Sequence, residues 1–330
     1  MSFSLAASLR AGVRARTVLV LACAAATACG GHSPNGPASG PTITCPSKVS
    51  AESPDGSPVP VQFPAPSVTG GSPPLTTTCN PAAGSSFSTG ETTVTCTAQD
   101  SAGRTATCTV PVDVTRIPSI PYTRFLAFGD SITAGEISLN ATLLLVDPSQ
   151  AYPTDLAGLL HGRYPNQDIT MVNDGISGET AVEGKDRISG AIIRNNAQVL
   201  LLLEGVNDLQ DHHEDGINDL IEALKYDIRD CARRGCTVFV STLLPQKDGF
   251  RAGAKDLIEP TNSKIRDLAA REGATLVDSW QVFHGKEATL IGQDGLHPTP
   301  EGYQVLAQAF FDSIQAHLEQ KLRLRMMMRR

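Results

Sequence analysis

The chain has 330 residues, 41% of them hydrophobic and 18% charged, and its 27 basic and 34 acidic side chains give a net charge of −7. That length suffices for two domains, and the composition is globular rather than disordered. Past the N-terminus no apolar run reaches the ~20 residues of a spanning helix, and an acidic chain without a basic stripe speaks against nucleic acid as a partner.

Residues 1–28 read as an export signal. Arg10, Arg14 and Arg16 form a positive n-region, Thr17 to Ala28 is a short apolar stretch, and small residues lead into Cys29. Ala26-Thr27-Ala28-Cys29 resembles, imperfectly, the lipobox of a bacterial lipoprotein. That resemblance implies a lipid on Cys29, a membrane partner through this anchor, and a place in the cell envelope: outer membrane, periplasm or cell surface. An ordinary secretory signal cleaved nearby is the alternative. Cys23 is the poorer acceptor, because its apolar stretch would be only about five residues, below the usual ~7–15.

Residues 29–42, rich in Gly, Pro and Ser, read as a flexible tether. From 43 to 117 the texture changes to short threonine- and valine-rich runs. ETTVTCTAQD, Ser101-Ala102-Gly103 and RTATCTVPVDV read as a β-hairpin, with Val and Cys alternating with Thr at the period of a half-buried strand. The segment is expected to be a small all-β sandwich, stapled by Cys45, Cys79, Cys96 and Cys108 because its core is small. It resembles a hyalin-repeat (HYR) module, which is immunoglobulin-like. The matching residues are Thr44-Cys45-Pro46, Cys79 with Gly84-Ser85-Ser86-Phe87, Thr92 to Asp100, and Gly103 with Ala106-Thr107-Cys108. Four cysteines allow three pairings. Cys45–Cys108 with Cys79–Cys96 is favoured, because the first and last strands should be neighbours; Cys96–Cys108 across the hairpin is the alternative. The module is expected to be a spacer or to bind a surface or carbohydrate ligand.

After a linker at 118–122, residues 123–320 alternate apolar strands with amphipathic helices. Strands are expected at Arg124–Phe128, Ile169–Asn173, Val199–Leu203, Thr237–Thr242 and Thr275–Val277. Helices are expected at Ala151–Leu160, Glu183–Asn195, Ile217–Arg233, Ala254–Arg271 and Pro300–Leu318. This is the pattern of a three-layer α/β/α fold with a five-stranded parallel sheet, whose ligand chemistry sits beyond the carboxyl ends of the strands. Cys231 and Cys236 are expected to form a local disulfide, with two buried thiols as the alternative. His212-His213, amid Asp211, Glu214 and Asp215, reads as a solvated loop rather than a metal site. Residues 321–330 are a basic tail.

Four segments carry chemistry. Gly129-Asp130-Ser131 follows the first strand, where a serine hydroxyl is exposed but needs a base to become nucleophilic. Asp294-Gly295-Leu296-His297-Pro298 precedes the last helix, where Thr299 can cap and Pro300 can open the first turn. An aspartate three residues before a histidine can fix the ring tautomer and stabilise the imidazolium. Gly175, in Asn173-Asp174-Gly175, and Asn207, in Gly205-Val206-Asn207-Asp208, are candidate oxyanion donors. Asp208 reads as structural.

In their content and order these blocks resemble the SGNH (GDSL-type) hydrolase family over about residues 122–320. The resemblance implies Ser131 as nucleophile, His297 as base, Asp294 as its partner, and an oxyanion hole from the Ser131 and Gly175 amides with the Asn207 side chain. Val206 departs from the glycine usual before the block asparagine. The implied activity is hydrolysis of acyl esters or thioesters of small-molecule or lipid substrates, without metal or organic cofactor. A lysophospholipase- or arylesterase-like preference is suggested by MVNDGISGET and QDGLHP. The alternatives are a carbohydrate O-acetylesterase and a non-catalytic surface binding or adhesion protein. There is no GxSxG elbow, HExxH or P-loop.

Overall fold

In a computed structural model the structure describes residues 39–319. The signal at 1–28, Cys29 and the tail at 321–330 lie outside the described residues. The chain divides into two compact units. One runs up to Pro46 and includes Ala65–Asn80 and Thr95–Thr109; the other holds Ser47–Pro64, Pro81–Val94 and the chain from Val110 onward.

Eight strands make up the immunoglobulin-like part: β1 (Pro41–Thr44), β2 (Val49–Ser53), β3 (Val59–Pro60), β4 (Ser67–Gly70), β5 (Thr76–Asn80), β6 (Ser86–Phe87), β7 (Gly90–Gln99) and β8 (Thr105–Arg116). β1 begins two residues inside the stretch that reads as tether. β7 and β8 form the expected hairpin, and four strands are hydrogen-bonded in the order β2-β8-β7-β5. Val94, Cys96 and Ala98 are buried on β7 and Val110, Val112 and Val114 on β8, the period-two burial that the threonine alternation predicts. Asp100 closes the β7–β8 turn by accepting from the amides of Ala102 and Arg104 and from the Arg104 guanidinium. Although burial pushes its pKa up, these donors hold it down at about 2.

Cys45–Cys108 and Cys79–Cys96 are both disulfides. The reason for the first differs from adjacency of the terminal strands: β1 pairs with β4, and β8 lies between β2 and β7. Cys79 and Cys96 lie directly opposite each other on β5 and β7. Cys231 and Cys236 also form a disulfide.

From Arg124 the elements follow in order: β9 (Arg124–Gly129), α1 (Ser131–Ala134), β10 (Glu136–Ser138), β11 (Leu144–Val146), α2 (Tyr152–Arg163), β12 (Thr170–Gly175), α3 (Ala181–Arg194), β13 (Val199–Leu203), α4 (Val206–Arg233), β14 (Thr237–Ser241), α5 (Ile258–Glu272), β15 (Thr275–Val277), α6 (Ser279–Phe283), α7 (Glu287–Leu290) and α8 (Pro300–Ile314). The sheet is parallel in the order β12-β9-β13-β14-β15. β13, the strand VLLLL at its centre, is buried along its whole length, as a strand covered on both faces must be. No helix among the described residues is long and apolar enough to cross a membrane.

One expectation is corrected. α4 starts at Val206, not Ile217, and is broken at His213 (φ 52°), so His212-His213 belongs to an exposed, kinked helix rather than to a loop. The stretch from Glu136 to Gln150 contains an antiparallel hairpin, β10–β11, that its sequence does not announce.

Candidate active site

Strand β9, beside the central β13, delivers the serine. Gly129 ends it at φ 154°, and a Cβ there would fall 1.9 Å from the Leu203 carbonyl oxygen, so only glycine lets β9 and β13 close at this point. Asp130 caps α1 by accepting from the Ile132 amide at 2.9 Å, which leaves Ser131 as the first helical residue. On the other side β12 brings Gly175 so near that a Cβ would lie 2.2 Å from the Ala134 nitrogen. The glycine thus serves a close approach of backbone to α1 as well as offering an amide.

Ser131 Oγ lies 2.8 Å from His297 Nε2, and His297 Nδ1 lies 2.5 Å from Asp294 Oδ2. All three residues are fully buried. A carboxylate accepts only, so Nδ1 carries the proton and Nε2 is free to take the serine proton. Burial pushes the Asp294 pKa up, but the His297 ring and the Leu296 and His297 amides hold it below the usual carboxylate range. The loop bearing this pair is fastened by its neighbours: Arg251 N–H donates to the Asp294 carbonyl at 2.8 Å, and Lys247 N–H to that of Gly295 at 3.1 Å. Thr299 caps α8 by accepting from the Gly302 amide, and Pro300 opens the helix.

The oxyanion candidates stand differently. Asn207 is near the start of α4, and one of its two amide protons is spent on the Glu179 carbonyl at 2.8 Å, which fixes the side chain and leaves the other proton to donate. The Gly175 amide donates to Asn173 Oδ1 at 3.1 Å, so it must exchange that acceptor to hold an oxyanion. Asp208 accepts from the Ala181 and Val182 amides at the start of α3, the structural role its sequence suggests.

One side chain that sequence reasoning missed joins these segments. Arg187, on α3, donates to the carbonyl oxygens of Gly129 and Asp174, pairs with the carboxylates of Asp174 and Glu179, and lies 3.8 Å over the Phe128 ring. It therefore ties the strand before Ser131, the strand carrying Gly175 and the loop that orients Asn207. Nothing local separates it from an ordinary arginine on an amphipathic helix; only the fold shows its reach. Arg187 is a positioning residue, and small misplacements of donors cost about 10²-fold in rate. Arg187→Met is expected to lower kcat on a short-chain aryl ester by roughly ten- to a hundredfold with little change in KM, and Arg187→Lys to recover part of it. Equal losses in kcat and thermal stability without recovery by lysine would make the residue merely structural.

Beneath the site lies a set of buried acids. Burial pushes Asp130 up to about 7, opposed by its bond from Ile132 and by His297. Glu204 is raised by burial and by the nearby Glu179, Asp130 and Asp227 charges. Burial and Asp230 push Asp227 up to about 8.

Residues 127–305 match the GDSL-like Lipase/Acylhydrolase family, and residues 38–114 match the HYR domain. Among curated proteins, the acetylxylan esterase of Geobacillus stearothermophilus is 23% identical over 210 residues, spanning 58% of this chain and 93% of that protein. Among solved structures, LAE5, an α/β hydrolase from the metagenome of Lake Arreo, Spain, is similar with a TM-score of 0.51 and 22% identity, covering 61% of this chain and 99% of its own. Est24, a carbohydrate acetylesterase from Sinorhizobium meliloti, is similar at a TM-score of 0.51 and 18% identity, covering 59% of this chain and 99% of its own. At these identities the two structures show a shared fold.

Proposed function

Because the chain belongs to the GDSL-like lipase/acylhydrolase family and is a carboxylic ester hydrolase, we propose that it works through a Ser131-His297-Asp294 triad and an acyl-enzyme. The observation that carries this reading is the continuous chain Ser131 Oγ–His297–Asp294, with contacts of 2.8 and 2.5 Å. His297 Nε2 takes the Ser131 proton as Oγ attacks the ester carbonyl. The Ser131 amide and the Asn207 side chain hold the oxyanion, joined by Gly175 once its amide is released. On collapse, Nε2 returns the proton to the leaving alcohol. Water, deprotonated by the same nitrogen, then cleaves the acyl-enzyme.

The substrate we favour is an O-acetylated carbohydrate. The named activity of the Geobacillus relative supports it. A second reading, an acyl ester of lipid or aryl type, is favoured by a different observation: Leu139, Leu143, Leu145 and Val146, on the hairpin that begins at Glu136, are 44–53% exposed. p-Nitrophenyl esters from acetate to palmitate, assayed beside acetylated xylan, separate the two. Turnover confined to acetate and the acetylated polysaccharide is expected. A rate rising with chain length would favour the lipid reading and sink the first.

A further inference from the structure

Glu136 opens β10, one residue after the glycine that ends α1. It is only 8% exposed, and its Oε2 lies 4.0 Å from His297 Nε2. Three of the other buried acids have donors of their own. Asp294 receives the His297 ring and two amides, Asp208 two amides, and Asp230 two arginines and a serine. The Glu136 backbone is anchored as well, since its carbonyl accepts from the Tyr303 hydroxyl at 2.6 Å. Its carboxylate has no such donors, and unlike the enclosed oxygens of Glu204 and Asp227, which also lack partners, its side chain keeps 11% exposure. Among the described residues no hydrogen-bond donor reaches it.

A nearly buried carboxylate without donors is costly, so this one is placed to take donors from a bound molecule. Its position says which part of that molecule. On the reading given above, on which this inference rests, Nε2 hands its proton to the departing alcohol oxygen. A group 4.0 Å from Nε2 therefore faces the alcohol side of the ester. A carboxylate accepts hydrogen bonds and repels anions. The hairpin adds an apolar flank: Glu136 is opposite Val146 and Ser138 opposite Leu144, so these four side chains share a face. An acceptor next to an apolar flank suits a sugar ring, which offers hydroxyl donors at its edge and C–H groups on its face.

We propose that Glu136 and its hairpin face form the leaving-alcohol subsite, and that Glu136 selects esters whose alcohol carries a neighbouring hydroxyl while rejecting anionic alcohols. The choice among acetate esters is thus made on the alcohol.

The test uses three small acetates: 2-hydroxyethyl acetate, 2-methoxyethyl acetate and the 3-acetoxypropanoate anion. The native protein is expected to prefer the hydroxyl ester over the methoxy ester by about tenfold, the worth of one hydrogen bond to a charged group. It should also disfavour the anion by roughly tenfold or more. Glu136→Gln should bring the anion to within about threefold of the methoxy ester, and Glu136→Leu should also erase the hydroxyl preference. Ratios are compared within each variant, so a general loss of rate cancels. Ratios near one in the native protein, or ratios that neither substitution moves, would overturn the assignment while leaving the triad intact. Cleavage of these esters that persists in Ser131→Ala would instead overturn the triad reading and this inference with it.

Discussion

Ser131→Ala is expected to remove ester hydrolysis almost entirely, with kcat falling by roughly 10⁵–10⁶. The argument is geometric. Ser131 Oγ has one base, His297 Nε2 at 2.8 Å, and that base is hydrogen-bonded to one carboxylate, Asp294 at 2.5 Å. Groups acting as one unit lose most of their effect when any member goes. The double variant Ser131→Ala/His297→Ala should therefore be no slower than either single variant. Asp294→Asn keeps the shape but favours the wrong ring tautomer, and should cost about 10⁴. Single-turnover kinetics with p-nitrophenyl acetate would check all three. A Ser131→Ala protein within tenfold of the native rate would show that another group is the nucleophile.

The second large effect is on stability. Asp227 is fully buried on α4, neither carboxylate oxygen has a hydrogen-bond partner, and its pKa is pushed up to about 8 by burial and by Asp230, against the pull of Lys185 and Arg187. In the unfolded chain an aspartate titrates near 3.9. Below that pH both states hold the proton and the group is neutral to folding. As pH rises from about 4 to about 8 the unfolded state ionises while the folded state keeps its proton, so stability is progressively lost. The loss amounts to up to roughly 5 kcal/mol. Asp227→Asn removes the ionisation. Its melting temperature should match that of the native protein near pH 4 and exceed it by roughly 10 °C at pH 8. Thermal melts across that range decide the matter: an offset independent of pH would mean that Asp227 is not the titrating group.

How far the sequence revealed the fold depended on burial. β9, β13 and β14 are legible because strands covered on both faces read as unbroken apolar runs. The first turns of α4 are not, since Val206 to Gly216 is largely polar and breaks at His213, and the apolar stripe that marks a helix begins only at Ile217. The β10–β11 hairpin escapes for a related reason. Its tip is ordered by the Asn140 side chain, which accepts from Thr142 and Leu143, rather than by a recognisable two-residue turn. β10, Glu-Ile-Ser, is too short for its alternation to stand out, and β11, Leu-Leu-Val, has none.

The site divides in the same way. Ser131, Asp294 and His297 could be found because their spacing and local turns carry their chemistry, and the structure brings them together. Arg187 and Glu136 were invisible because their significance lies in what they reach, 58 residues away at Gly129 in one case and across to His297 in the other. Gly175 was read as a donor, yet its tightest constraint is the absence of a side chain against α1. The disulfide pairing was correctly expected on reasoning that the strand order does not support.

The hairpin also has a bearing on how such an enzyme changes over time. Its two ends meet where the Asp147 amide donates to the Gly135 carbonyl at 2.9 Å, so the chain between them leaves and rejoins the domain at one point. The largely exposed part of such a segment, here residues 139–146, accepts replacement, whereas Glu136, Ile137 and Ser138 are held by the Tyr303 hydroxyl, by burial in the core and by the Asp294 amide. The apolar flank of the alcohol subsite is therefore carried on an exchangeable cassette. A library varied only from Leu139 to Val146 is where a designer should look for new substrates, with Glu136 and the reacting atoms left untouched.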